Sequence, residues 1–203
     1  MTDTAVPGLP FPLHPVVPVG DGTWQVADGA VRATAAPRTD VFVDPAGGTP
    51  KLDAARLLGE LPDGDLQLSA RVTVGFRGTF DAGVLLLWLD EAHWAKLCFE
   101  YGPAGQAMVV SVVNRTVSDD ANAFVVDGST AWLRVSRIGG VWAFHGSTDG
   151  TTWHMVRIFG LDVPGVRPRL GFEVQAPTGD GCDVTFDEIR FSTTTLADTR
   201  DGS

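Results

Sequence analysis

Residues 81–119 decide the fold: DAGVLLLWLDEAHWAKLCFEYGPAGQAMVVSVVNRTVSD. Short polar connections separate three apolar runs, at 82–89, 94–101 and 107–115. Successive side chains of a β-strand point to opposite faces of the sheet. Lys96 and Glu100 therefore share one face of the middle run, while Leu97 and Phe99 point to the other. This alternation predicts a β-sheet that carries a base and an acid on one surface, and it does not specify a reaction.

The rest of the chain repeats the pattern of short strands and turns. Asp28-Gly29 predicts a tight hairpin between 24–27 and 30–33. Residues 53–58 are compatible with either a helical turn capped by Asp53 or the approach to a strand. Six further strands are predicted: 65–76, 131–137, 140–147, 153–159, 168–176 and 183–192. This regular spacing predicts an all-β protein, built as an antiparallel sandwich or barrel.

Length and composition favour one domain with two extensions. The 203 residues suffice for one core, with an extended N-terminal arm at 1–19, a β-sandwich domain at 20–192 and a flexible tail at 193–203. The net charge of −10 argues against nucleic acids and anionic membranes as partners, because both attract basic surfaces.

The N-terminus and the metal-binding residue types give further expectations. The first 20 residues combine neither a basic segment nor a continuous apolar one, so we expect a cytoplasmic protein. Cys98 and Cys182 lie far apart in sequence and are expected to be free thiols. The four histidines have no zinc-ligand spacing, and we predict neither a metal nor a cofactor.

An ordered set of motifs resembles a known family. The set comprises Trp24, Thr39-Asp40, Asp81-Ala82-Gly83, Trp94-Ala95-Lys96, Glu100-Tyr101, Asn114-Arg115, Ser118-Asp119, Trp132-Leu133-Arg134 and the stretch 147–153. Over residues 20–192 it resembles a domain of unknown function whose family includes the fungal regulation-of-enolase protein. The resemblance implies a concanavalin-A-like jelly-roll sandwich of two curved antiparallel sheets, with a concave face that binds carbohydrate in related lectins and glucanases.

The candidate site lies on the hairpin of 82–89 and 94–101. If Leu86 pairs with Lys96 and Trp88 with Trp94, cross-strand neighbours share a face. That face collects Val84, Leu86, Trp88, Trp94, Lys96, Cys98 and Glu100. Two indoles beside an acid and a base suit a cleft that stacks and orients a ring. The alternative is a partly solvated ion pair between Lys96 and Glu100 with no ligand.

Other residues are candidates for the same cleft. Arg134 belongs to the non-core side of its strand, where it either reaches the cleft or is an ordinary surface arginine. Asp119 is placed in a connection after a strand, where functional residues concentrate. Glu173 and Gln175, which share a face of 168–176, are weaker candidates.

These residues support three alternative functions. The first is a module that binds a saccharide or another small molecule through Trp88, Trp94, Lys96, Glu100, Asp119 and Arg134. The second is an enzyme of lyase, isomerase or cyclase type, with Glu100 as acid or base and Lys96 stabilising negative charge. The third is a regulatory module with a protein partner. Retaining glycoside hydrolysis is disfavoured, because no strand carries alternating carboxylates.

Overall fold

A computed structural model describes residues 3–16 and 24–203, and all regular structure in those ranges is β-strand. Sixteen strands occur there: β1 His14–Val16, β2 Gln25–Ala27, β3 Ala30–Thr34, β4 Val41–Phe42, β5 Lys51–Leu52, β6 Ala55–Glu60, β7 Leu66–Gly75, β8 Ala82–Trp88, β9 His93–Tyr101, β10 Ala107–Arg115, β11 Val117–Val125, β12 Thr130–Ile138, β13 Val141–Ser147, β14 His154–Phe159, β15 Arg169–Gln175 and β16 Asp183–Ser192. Within the described ranges, nothing helical is long and apolar enough to cross a membrane.

Two seven-stranded antiparallel sheets form the body. The first has the order β1-β6-β15-β8-β9-β10-β11 and the second β14-β13-β12-β7-β16-β3-β2, while β4 and β5 form a separate hairpin. The predicted all-β sandwich is confirmed. The predicted Asp28-Gly29 hairpin is also present, with both turn residues at positive φ and Val26 opposite Val31.

The main core lies between the two sheets. Strand β7 alternates buried and partly exposed residues along its length, as expected when one face is packed on the core. Phe172 of the first sheet meets Phe186 of the second with ring centroids 4.7 Å apart. Burying each such side chain contributes roughly 1.5–3 kcal/mol, so this layer is the main source of stability.

A second apolar cluster covers the outer face of the first sheet. Residues 40–54, here called the lid, lie over that face and carry the β4–β5 hairpin. Val41 and Val43 of the lid pack with Leu86 of β8 in this cluster. Because the lid covers one face and the second sheet covers the other, all seven residues of β8 are buried. This explains why β8 is continuously apolar instead of alternating.

The structure decides between the two alternatives for 53–58 and adds an edge strand. Residues 55–58 begin strand β6, and Asp53, which precedes the strand, accepts a hydrogen bond from the Asp40 backbone N–H at 2.9 Å instead of capping a helix. Strand β11 was not predicted, and Asp119 lies within it and not in a connection. It is a sheet edge with polar residues on both faces, so it lacks the periodicity that identifies a strand.

Both chain ends pack on the sandwich where they are described. His14–Val16 of the predicted arm pairs with β6, whereas residues 1–2 and 17–19 of that arm lie outside the described ranges. The predicted tail, 193–203, lies against the outer face of the second sheet. Leu196 is buried there, and the Thr199 carbonyl lies 2.8 Å from His145 Nε2.

Candidate functional site

The predicted register of the central hairpin is confirmed. Leu86 pairs with Lys96 and Trp88 pairs with Trp94, so these four side chains share the outer face of the first sheet. Glu100 lies on the same face, four residues beyond Lys96 and opposite Ala82. Local alternation along each strand was enough to place these groups together.

The two indoles are covered by the lid. Trp94 is 0% and Trp88 5% exposed, and both belong to the apolar cluster beneath residues 40–54. The Arg56 guanidinium stacks on the Trp88 ring, 4.4 Å from its centroid. Neither indole therefore offers a free face to a ligand, contrary to the prediction that they stack a bound ring.

An open pocket remains at one end of the lid. Its volume is about 160 Å³. It is lined by Asp40, Phe42, Phe80, Lys96, Glu100, Val112, Asp120 and Gln175. The predicted site residues Lys96 and Glu100 are thus joined by groups from the lid, from the connection before β8 and from strands β10, β11 and β15.

Lys96 is the fixed centre of this pocket. Its side chain is buried, and Nζ donates hydrogen bonds to Asp40 Oδ1 at 3.0 Å and to Gln175 Oε1 at 2.8 Å. Burial alone would lower the pKa of Lys96, but Asp40 and then Glu173 outweigh it and raise the pKa. The lysine is therefore a permanent cation that ties the lid to the sheet.

Glu100 also lines the pocket, but its carboxyl group does not carry a permanent charge as Lys96 does. Burial raises its pKa to about 8; Lys96 opposes this rise, and Asp120 and Asp40 add to it. The pKa of Asp120 is also raised, chiefly by the partial burial of its carboxyl group. Near pH 7 the Glu100 carboxyl group is mostly protonated, so it can donate a hydrogen bond or a proton.

Glu173 lies beneath the lid with neither carboxylate oxygen hydrogen-bonded within the described ranges. Burial raises its pKa to about 7, while Lys96 and Arg56 act in the opposite direction. The guanidinium of Arg56 donates to the Leu52 carbonyl at 2.9 Å. An acid so poorly compensated is costly to ionise, which makes Glu173 a pH-sensitive element of the fold.

Ser118 and Asn114 hold the far end of the lid. Ser118 Oγ accepts the Val43 N–H at 3.0 Å and donates to Asn114 Oδ1 at 3.1 Å, and the Ser118 N–H donates to the Val43 carbonyl. Asn114 Nδ2 in turn donates to the Ala92 carbonyl at 2.8 Å. These two members of the ordered motif set therefore anchor the lid instead of lining the pocket.

Two predicted site residues lie elsewhere. Arg134 is on β12 of the second sheet, where it stacks on Trp153 and donates to the Gly202 carbonyl beneath the C-terminal segment, so it cannot reach this pocket. Asp119 points away from Asp120; its side chain is 70% exposed and lies 3.5 Å from Arg157. Whether Arg134 can contact the pocket depends on which sheet its strand joins, and alternation along the strand does not reveal that.

Several pocket residues were not singled out as site candidates from the sequence. Asp40 belongs to the ordered motif set, and Asp120 directly follows Ser118-Asp119, so the motifs weakly indicated both residues as functional. Phe42 and Phe80 carried no such signal, because an isolated phenylalanine outside the long apolar runs resembles any other partly buried apolar residue. Gln175, a weaker candidate, lines the pocket.

Among the described residues, no three His, Cys, Asp or Glu side chains are grouped so that they could hold a metal ion. Cys98 and Cys182 are both buried free thiols.

Comparisons with known proteins place this architecture in a class. The structure is similar to that of lectin I-B4 from Griffonia simplicifolia, with a TM-score of 0.54 and 16% sequence identity. The match covers 84% of this chain and 90% of the lectin. The GH43 BlXynB protein from Bacillus licheniformis has a TM-score of 0.66 and 14% identity over 85% of this chain, which spans about 35% of that longer protein. The fold is therefore a concanavalin-A-like jelly-roll sandwich.

Within that class, the chain belongs to the family described as "Protein of unknown function (DUF1349)", whose model matches residues 20–194. Regulation of enolase protein 1 from Saccharomyces cerevisiae is 30% identical over 139 residues, 67% of this chain and 68% of the yeast protein. The crystal structure of a functionally unknown protein from Saccharomyces cerevisiae has a TM-score of 0.80 and 23% identity, covering 90% of this chain and 96% of that one. The family resemblance found in the motifs is confirmed.

Proposed function

We propose that this protein binds a small organic molecule, no larger than a single sugar ring, in the pocket beside Lys96 and Glu100. The observation that carries the proposal is an open pocket of about 160 Å³ on the outer face of the first sheet. A small ligand is oriented by a few fixed polar groups inside a partly apolar pocket, and this pocket has both.

The lid limits the size of the ligand. Its side chains pack directly on the first sheet over Leu86, Trp88 and Trp94, the area in which a longer chain of sugars would otherwise lie. The fold shared with a lectin and with a GH43 protein supports a saccharide as one ligand class. The pocket favours a single unit over a polymer.

The test is a thermal-shift screen of monosaccharides and small metabolites, followed by calorimetry on each hit. We expect a hit whose affinity falls about tenfold or more in Glu100→Ala and in Gln175→Ala, since each removes a polar contact worth about 1–3 kcal/mol. Asp127→Ala is the matched control, because this exposed acid follows β11 outside the pocket. A screen with no hits, or hits insensitive to both pocket variants, would contradict the proposal.

Catalysis is the second candidate, favoured by the state of Glu100. A carboxyl group with a pKa of about 8 beside a fixed lysine has the properties of a general acid with a cationic partner. A lyase, isomerase or cyclase reaction on a bound hit would be lost in Glu100→Gln while binding of substrate persisted. Turnover unchanged in that variant would exclude this role.

Two sequence-based expectations stay predictions. A regulatory role through a protein partner would be tested by affinity capture with wild type and pocket variants. A cytoplasmic location would be tested by cell fractionation.

A further inference from the structure

We infer that the ligand of this pocket is a small organic cation, such as a molecule with a primary or quaternary ammonium group. This inference rests on the proposed function and deepens it by assigning the charge of the ligand. It is carried by the unequal numbers of acids and bases around the pocket and by the two aromatic rings in its wall.

The acids of the pocket outnumber its bases. Asp40, Glu100 and Asp120 line it, and Lys96 is the single lysine or arginine among its described lining residues. Lys96 already donates to Asp40 and Gln175. Glu100 accepts no hydrogen bond from the described residues, so its carboxyl group is available to a ligand.

The charges around Glu100 favour a cationic ligand. Lys96 faces it from the same strand, Asp120 from β11 and Asp40 from the lid, while Glu173 lies behind them on β15. Three of these four neighbours are acids. A bound cation would restore the missing positive charge and favour the ionised form of Glu100.

The aromatic wall favours an organic cation over a metal ion. Phe42 comes from the lid and Phe80 from the connection before β8, and Phe80 is 37% exposed. Phenylalanine rings attract ammonium groups through their electron-rich faces, but they are not metal ligands in proteins. Val112 adds a further apolar surface that suits the carbon atoms around an ammonium nitrogen.

Phe80 is held at the pocket by its backbone. Its φ of 69° lies in the left-handed region, which is rare for a bulky side chain. The Phe80 N–H donates to the Tyr101 carbonyl at 2.8 Å, and Gln175 Nε2 donates to the Phe80 carbonyl at 3.1 Å. Gln175 therefore connects the aromatic wall to Lys96, and both walls of the pocket are positioned together.

The experiment compares choline with 3,3-dimethyl-1-butanol, which has the same shape but a carbon atom in place of the charged nitrogen, and it uses D-glucose as a third probe. Calorimetry at pH 9 is expected to show choline binding about tenfold or more tightly than the neutral alcohol. Glu100→Gln should remove most of that preference, whereas Asp127→Asn should leave it unchanged. Choline keeps its charge at every pH, so its affinity should fall about tenfold between pH 9 and pH 6 as Glu100 takes up a proton.

The outcomes separate this inference from the proposed function. Equal or tighter binding of the neutral alcohol, or binding of D-glucose without choline, would overturn the cation inference and leave the proposed pocket function standing. A preference for choline that persists in Glu100→Gln would also overturn it. If none of the three probes binds, the cation inference fails, and the wider metabolite screen decides the proposed function.

Discussion

Replacing Glu173 with glutamine should stabilise the protein in a pH-dependent way. Glu173 is fully buried, and neither of its carboxylate oxygens has a hydrogen-bond partner within the described ranges. Glutamine has nearly the same shape and stays uncharged at every pH. The substitution therefore isolates the cost of ionising one acid beneath the lid.

The direction and size of this change in stability follow from the pKa of Glu173, which burial raises from its ordinary value of 4.5 to about 7. Below pH 4.5 the group is protonated in both folded and unfolded chains and has no effect. Between these values the unfolded chain ionises first, so the stability of the wild type falls as the pH rises. At roughly 1.4 kcal/mol per pH unit, the full penalty at pH 8 is about 3 kcal/mol.

Urea unfolding of wild type and Glu173→Gln at pH 4 and pH 8 measures this penalty. We expect nearly equal stability at pH 4 and an advantage of about 3 kcal/mol for the variant at pH 8, or on the order of 10 °C in Tm. Glu60→Gln is the control, because Glu60 is an exposed acid on the neighbouring strand. A variant that is less stable than wild type at pH 8, or a difference that does not change with pH, would refute the reasoning.

Three further substitutions test the lid and the C-terminal segment. Lys96→Met should cost about 3–5 kcal/mol in urea unfolding, because it leaves the partly buried Asp40 carboxylate without its partner. Adding Asp40→Asn should recover part of the loss, and a cost below about 1 kcal/mol would contradict the ion pair. Ser118→Ala should cost about 1–3 kcal/mol and speed hydrogen exchange of the Val43 amide, whereas unchanged exchange would rule out the anchor. Gly202→Ala should displace residues 196–203, because alanine is strained at this positive φ and its Cβ would lie 3.0 Å from the Cβ of Trp153. Exchange of the amides in this segment as slow as in wild type would disprove that packing.

The sequence by itself determined the local pairing of strands. Alternating side chains placed Lys96 and Glu100 on one face, and the short connection between β8 and β9 set Leu86 opposite Lys96. Asp28-Gly29 likewise defined the first hairpin. These features depend on neighbours in the chain and on the two-residue period of a strand, so they are visible without the fold.

The tertiary structure decided what each face meets. Lys96 is paired with Asp40, which is 56 residues away, and the lid that contains Asp40 buries the two tryptophans that the sequence offered as a ligand surface. Arg134 has the alternation expected of a site residue, yet its strand joins the other sheet. Alternation shows which side chains share a face, but only the packing of distant segments determines whether that face is covered by protein or open to a ligand.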